Sequence, residues 1–190
     1  MKNSSTMRPA VLVLDMIVDF TTGKYGSAAA RAIRPALSKL LARTRASSVP
    51  VVYCQDAHIP SDLELKVWEP HGMFGTRGAQ TDSTLRPKGK EPVIPKHTLD
   101  AFFGTTLDEL LREKGVDTLL LTGVATDVGV QHTSATAFFL GYKLFVPKDG
   151  TAGLTPEGHQ RGLHYMAQIY GAKVTDIPTL IHKLEEGSYA

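Results

Sequence analysis

Leu119-Leu120-Leu121-Thr122-Gly123-Val124-Ala125-Thr126-Asp127-Val128-Gly129-Val130 is the stretch that decides the fold. A continuous apolar run stops at a glycine and turns through small and polar residues. It then enters a segment in which Val130, Ala137 and Leu140 recur at helical spacing. The stretch reads as strand, sharp turn, helix. At such a junction the first N–H groups of the helix have no intrahelical acceptor and the positive end of the helix dipole lies behind them, so an anionic or carbonyl oxygen is favoured there.

The same alternation extends in both directions. Upstream, Ala10 to Leu14 is a Val/Leu-rich run closed by Asp15, the pattern of a strand buried on both faces. Ala28 to Ala46 carries Ile33, Leu37, Leu40 and Leu41 on one helical stripe, with Pro35 as its start or a kink. Val49 to Tyr53 predicts a second strand, with Gln55-Asp56-Ala57-His58 just past its end. Ile59 to Pro95 shows little periodicity and many prolines and glycines, and it holds Trp68, His71 and a Gly75-Thr76-Arg77-Gly78 turn. A loop that long in a compact fold points to function. Val93-Ile94 is a short strand delivering Lys96, and Thr106-x-x-Glu109 reads as a capping box opening a helix to Lys114, ended by Gly115.

Downstream of the strand Thr118 to Thr122, a helix runs to about Gly141 and a strand covers Lys143 to Val146. Thr155-Pro156-Glu157 caps a helix carrying Leu163, Met166, Ala167 and Tyr170, closed by Gly171. Ala172 to Val174 is the last strand, followed by a short helix around Leu180. Strands alternating with helices imply a three-layer α/β architecture: a doubly wound, mostly parallel sheet of about six strands with helices on both faces.

At 190 residues and 42% hydrophobic, the chain has the size of one domain spanning 1–190. A net charge of +2 with no basic block argues against nucleic acid or a membrane surface as partner and leaves a small molecule as the expected one. No apolar run reaches membrane-spanning length, and the polar start Met1-Lys2-Asn3-Ser4-Ser5-Thr6 lacks the hydrophobic segment of a signal peptide. The single cysteine, Cys54, permits no internal disulfide, which fits a reducing cytoplasm.

In a parallel sheet all strand carboxyl ends lie along one edge, and ligands bind where the strand order reverses. Asp15, Asp56, Lys96 and the Gly123 to Gly129 turn all follow strand ends, so they share one rim. Taken singly, Asp15 reads more readily as a helix-capping or turn aspartate and Lys96 as a solvated surface lysine. Asp56-x-His58, Glu64 and His71 supply carboxylates and imidazoles of the kind that hold zinc, manganese or iron, the alternative being solvated loop side chains. Phe20 and Trp68 are candidate aromatic walls of a flat-ring pocket, or ordinary core packing. Cys54, inside a strand, reads as a small buried hydrophobe, and Thr133 and Ser134 lie too far along their helix to aim at the turn.

The turn Gly-Val-Ala-Thr-Asp-Val-x-Val resembles the nucleophile turn of the isochorismatase-like cysteine hydrolases, the superfamily of nicotinamidases, carbamoylsarcosine amidases and isochorismatases. In its amidase branch x is the catalytic cysteine, and here it is Gly129. Leu14-Asp15-x-x-x-Asp19-Phe20 is similar to the first superfamily motif, with Ile17 where a glutamine is usual. Pro95-Lys96-His97 followed by Ala101-Phe102-x-Gly104-Thr105 resembles the second, and Gly158-His159 also matches the amidase branch.

The resemblance implies an Asp15, Lys96 and residue-129 triad in which Asp15 is the acid/base. It also implies an oxyanion hole from the N–H groups of Ala125 and Gly129, and a cis peptide at Val124-Ala125. It further implies a divalent metal, zinc foremost, held by Asp56, His58, His71 and Glu64, which in nicotinamidases and pyrazinamidases holds the ring nitrogen of the substrate. A homodimer or larger homo-oligomer is expected. The function implied first is a nicotinamidase-like hydrolysis of a small heteroaromatic amide, impaired or substrate-trapping because the nucleophile is missing. The alternatives are vinyl-ether hydrolysis by Asp15 without a thiol, as in isochorismatases, and a non-catalytic binding homologue.

Overall fold

The structure, a computed structural model, describes residues 7–186, so the polar start Met1 to Thr6 lies outside the described residues. In chain order the elements are β1 (Pro9–Leu14), α1 (Val18–Thr21), α2 (Ala28–Ala32), α3 (Arg34–Ala46), β2 (Val51–Asp56), a 3₁₀ turn (Leu63–Lys66), β3 (Val93–Lys96) and α4 (Leu107–Glu113). After them come β4 (Thr118–Val124), α5 (Gly129–Phe139), β5 (Lys143–Pro147), β6 (Thr151–Ala152), α6 (Pro156–Tyr170), β7 (Lys173–Thr175) and α7 (Ile177–Glu186). The sheet is parallel, in the order β3-β2-β1-β4-β5-β7, with β6 pairing the end of β4.

Alternation along the central strands builds two cores. Ala10, Leu12 and Leu14 of β1, with Leu119 and Leu121 of β4, face Leu107, Leu111, Val130 and Met166 of α4, α5 and α6. Val11, Val13 and Leu120 face Leu37, Leu40 and Leu41 of α3 and Leu180 and Leu184 of α7 on the opposite side. Each fully buried Leu contributes roughly 1.5–3 kcal/mol, so the two faces together tie the helices to the sheet. No helix among the described residues is long and apolar enough to cross a membrane.

Several boundaries differ from the sequence reading. The expected helix over Ala28 to Ala46 is two helices divided at Ile33, and Pro35 falls in the first turn of α3, where its missing N–H costs nothing. The strands β2, β3 and β4 run on to Asp56, Lys96 and Val124, so the polar residues expected beyond strand ends are their last members. The sheet has seven strands rather than about six, because the two-residue β6 is too short to leave a periodic signal. Thr106 makes no side-chain cap on α4; Thr105 Oγ1 accepts from Leu107 N–H at 3.2 Å instead. The Thr155 cap forms as expected, accepting from Gly158 N–H at 2.9 Å.

Candidate functional site

The strand order reverses between β1 and β4, which pair with Leu14 opposite Gly123. The two chains leaving this switch point therefore flank a common crevice. Gly123 is required here: its φ is +105°, and a Cβ would run into the backbone of Leu14. After it the Val124–Ala125 peptide is cis, and α5 begins at Gly129. On the other side the chain turns at Asp15 with φ +51°, a left-handed conformation that Asp tolerates better than most residues.

Asp15, Lys96 and Asp56 meet at the bottom of the crevice, all at most 4% exposed. Lys96 Nζ lies 2.8 Å from Asp15 Oδ2, donates a short bond to Asp56 Oδ1, and donates to Thr98 O at 3.0 Å, so its three hydrogens are all placed. Asp15 Oδ1 also accepts the backbone N–H of Asp56 at 2.8 Å. Burial pushes the Asp15 carboxyl up to about 7, with the Asp56 charge adding to it and Lys96 opposing. Burial works in the same direction on Asp56, but there Lys96 and the nearby imidazoles of His58 and His71 outweigh it and hold the acid well below the usual range. Lys96 stays charged, held above its ordinary value by the two carboxylates against the effect of its burial.

Gly129 sits against this pair. A Cβ on it would lie 3.3 Å from Asp15 Oδ2 and 3.5 Å from the carbonyl oxygens of Leu99 and Val124. Among the described residues, the N–H groups of Ala125 and Gly129 have no backbone acceptor. The turn is braced from α6: Asp127 Oδ1 accepts Leu154 N–H at 3.0 Å, Thr126 Oγ1 meets His159 Nδ1 at 2.8 Å, and Gly158 is a glycine because a Cβ would strike the Asp127 carboxylate.

Next to Asp56, the ligand-type atoms of Asp56, His58 and His71 lie within 4.8 Å of one another, all three residues buried. The spacing from Asp56 Oδ2 is 3.5 Å to His58 Nε2 and 3.6 Å to His71 Nε2. Ligands about 2.1 Å from a tetrahedral zinc are separated by about 3.4 Å, so the donor set fits such an ion. The outer nitrogens are already engaged: His58 Nδ1 on Asp62 Oδ2 at 2.9 Å and His71 Nδ1 on Glu69 O at 2.8 Å, the usual way a ligating imidazole is oriented. His58 Nε2 and Glu64 Oε1 are buried with no hydrogen-bond partner, and Glu64 Oε2 is 3.6 Å from His58 Nε2. Burial works to lower the His58 pKa, but the surrounding carboxylates raise it to about 9, so the cluster as a whole calls for positive charge.

Asp15, Lys96, Ala125, Gly129, Asp56, Glu64 and His71 thus line one crevice, with His58 buried beside Asp56 and His71. Phe20 and Trp68 line it together with Tyr25, and His71 packs edge-on against both Phe20 and Tyr25 with ring centroids 5.3 Å apart. Cys54 is excluded from the chemistry: it is fully buried in β2 and burial drives its thiol far up. Thr133 Oγ1 accepts Ala101 N–H and Ser134 Oγ donates to Val130 O, so both are structural. The sequence reading missed Asp62, which also meets His97 Nδ1 at 2.9 Å, and Asp19, whose Oδ2 accepts Gly72 N–H beside His71 at 2.9 Å. Asp19 stood in the quoted first motif without a role. Asp62, four residues from His58, carried no signal beyond proximity.

A doubly wound sheet with an acid–lysine pair and a helix start at its switch point defines a crevice site of the kind that open α/β folds place at their switch points. The isochorismatase domain matches residues 9–179, and the chain belongs to the isochorismatase family of hydrolases. Among solved structures it is similar to N-carbamoylsarcosine amidase from Thermoplasma acidophilum, with 34% identity and a TM-score of 0.84 over 90% of this chain and 97% of that one. It is also similar to nicotinamidase/pyrazinamidase PncA from Bacillus subtilis, with 28% identity and a TM-score of 0.83 over 90% and 100%. The pyrazinamidase of Pyrococcus horikoshii in complex with zinc shares the fold at 24% identity and a TM-score of 0.81, over 89% of this chain and 99% of that one.

Proposed function

We propose that this chain is a nicotinamidase-like amidohydrolase site, acting on a small heteroaromatic amide, whose nucleophile position is held by Gly129. The observation that carries the reading is the place of Gly129: its missing Cβ falls 3.3 Å from Asp15 Oδ2, at a helix start where, among the described residues, the N–H groups of Ala125 and Gly129 have no backbone acceptor. A cysteine there would give up its proton to Asp15 and attack an amide carbon whose oxygen rests on Ala125 and Gly129 N–H. Lys96 holds Asp15 in place and neutralises it. As it stands the chain binds such an amide and turns it over poorly.

The crevice supports the substrate class. Its cavity of about 160 Å³ is close to the roughly 150 Å³ that accommodates one benzene ring in a protein core. Phe20, Tyr25 and Trp68 wall it with aromatic faces. Asp56, His58, His71 and Glu64 would hold a divalent ion, zinc by donor type; when bound, it supplies a Lewis-acidic anchor for a ring nitrogen. The chain's own part is to orient the amide between the aromatic walls and the N–H pair. The protein is proposed to be one domain working as a cytoplasmic homo-oligomer on a small molecule.

A second reading has one observation in its favour. A buried carboxyl raised to about 7 is a competent acid for an enol ether, and that reaction needs no thiol. The lining counts against a dianionic substrate of the isochorismate kind, because its one lysine or arginine, Lys96, is already paired with two carboxylates. The test is Gly129→Cys, assayed for ammonia release from nicotinamide and a panel of small amides, beside the unaltered chain with isochorismate. Amidase activity in the variant is expected. No ammonia from the variant together with cleavage of isochorismate by the unaltered chain would reverse the assignment.

A further inference from the structure

The surroundings of Gly129 do more than leave a gap. We propose that the space beside Gly129 is itself a nucleophile site, in which water or another small O–H or N–H nucleophile attacks the amide carbon directly, with no acyl-enzyme. The inference rests on the amide-hydrolase reading above and deepens it.

Polar groups around the crevice are sorted by kind. The point a Cβ would occupy is ringed by three acceptor oxygens, Asp15 Oδ2 at 3.3 Å and the carbonyls of Leu99 and Val124 at 3.5 Å. Among the described residues, the Leu99 carbonyl receives no hydrogen bond. The loop that carries it is clipped to α5 by Ala101 N–H on Thr133 Oγ1 at 3.1 Å and by Thr136 Oγ1 on Asp100 Oδ2 at 2.6 Å, so its position is fixed. A side chain of carbon alone gains nothing from three acceptors. A molecule with hydrogens to donate does, and a small shift from the Cβ point toward Asp15 brings it into hydrogen-bond range. Donors stand apart from this ring, as the N–H groups of Ala125 and Gly129, where a carbonyl oxygen is stabilised.

The step balances without any further reagent. Water gives a proton to Asp15 Oδ2 as its oxygen bonds to the amide carbon, and the carbonyl electron pair moves onto the oxygen held by the N–H pair. Collapse re-forms the carbonyl and breaks the C–N bond, and the leaving nitrogen takes the proton from Asp15. Amide and water thus give carboxylic acid and ammonia. With hydroxylamine in place of water the products are a hydroxamic acid and ammonia. A nucleophile of hydroxylamine size is expected to sit among the three oxygens, and a bulky one is not.

The full-length protein, with zinc in the buffer, is assayed with nicotinamide and increasing hydroxylamine, reading ammonia and hydroxamate separately. Ammonia release is expected to rise with hydroxylamine, matched by hydroxamate, to a rate on the order of 10³-fold above the uncatalysed reaction, the size left to a site that keeps its binding and oxygen-stabilising groups. O-Benzylhydroxylamine is expected to give no rise. In Gly129→Ala the added methyl meets the Leu99 and Val124 carbonyl oxygens at ordinary contact distance and Asp15 Oδ2 at a tight 3.3 Å, from which the carboxylate must give slightly; a thermal melt verifies that the variant folds, and the hydroxylamine-dependent release is lost. In Gly129→Cys ammonia leaves in the acylation step, before hydroxylamine reacts, so its release in the first turnover does not depend on hydroxylamine. Hydrolysis by Gly129→Cys with no hydroxylamine effect in the glycine chain overturns this inference and leaves the amidase reading intact. Full stimulation in Gly129→Ala also overturns it, and failure of Gly129→Cys on every amide brings down both.

Discussion

Lys96→Met tests whether the acid–lysine pair is the electrostatic keystone of the crevice. The lysine is 2% exposed and lies between Asp15 and Asp56, themselves 4% and 3% exposed. Methionine keeps the length of the side chain, but it leaves two buried carboxylates facing each other and the Thr98 carbonyl without its donor. Removing one partner of a buried ion pair costs about 3–5 kcal/mol. At about 2–4 °C per kcal/mol for a chain of this size, the melting temperature should fall by about 6–20 °C. The loss must depend on pH, because a proton can replace the missing cation. Asp15, already raised to about 7 in the parent, sits above its unfolded value of 3.8, so it opposes folding as pH climbs through that window. Without Lys96 its folded pKa moves higher and the deficit grows from pH 5 to pH 8. The assay is a set of calorimetric melts of parent and variant at both pH values and equal zinc. Adding Asp15→Asn to Lys96→Met should recover part of the loss at pH 8. A fall of less than about 2 °C, or one as large at pH 5 as at pH 8, would refute the reasoning.

Asp62→Asn should weaken zinc binding by about 10–100-fold without changing the number of ions bound, because it disturbs the bond that orients His58 and, with it, the contacts of the same carboxylate to Ile59 N–H and His97 but removes no ligand; competition with a chromogenic chelator measures it, and an unchanged affinity would show that His58 is held by other contacts. Gly158→Ala places a methyl against the Asp127 carboxylate and should destabilise the protein by about 1–3 kcal/mol while loosening the turn that carries Gly129, read as a lowered midpoint in urea; a neutral effect would mean that α6 does not brace the turn.

The sequence carried the fold and the crevice more fully than the element boundaries, and the reason is physical. Buried parallel strands are written as apolar runs, so β1 and β4 were legible, as was the glycine at which β4 must pass the Leu14 backbone. Where a strand's last residues are polar because they face the site, as Asp56 and Lys96 are, the apolar signal stops early and the strand looks shorter than it is. The two-residue β6 has no periodicity to detect. Positioning residues were the least legible: Asp19 and Asp62 reach the site through hydrogen bonds to Gly72 N–H and His58 Nδ1, and no spacing rule marks a carboxylate whose partner at the site is a backbone N–H or a ring nitrogen.

The same contrast explains why Gly129 is open to two histories that the protein itself can separate. Residue 129 itself holds none of the three oxygens around its missing side chain in register. Instead the loop behind Leu99 is tied to α5 through Thr133 and Thr136, and Asp15 is held from two sides by Lys96 and the Asp56 N–H. Those ties orient acceptors toward a point that no atom of this chain fills. A site kept in that form favours a reaction in which the attacking atom comes from solution, and this is why the response to hydroxylamine, more than the activity of a restored cysteine, distinguishes a working glycine from a disabled one.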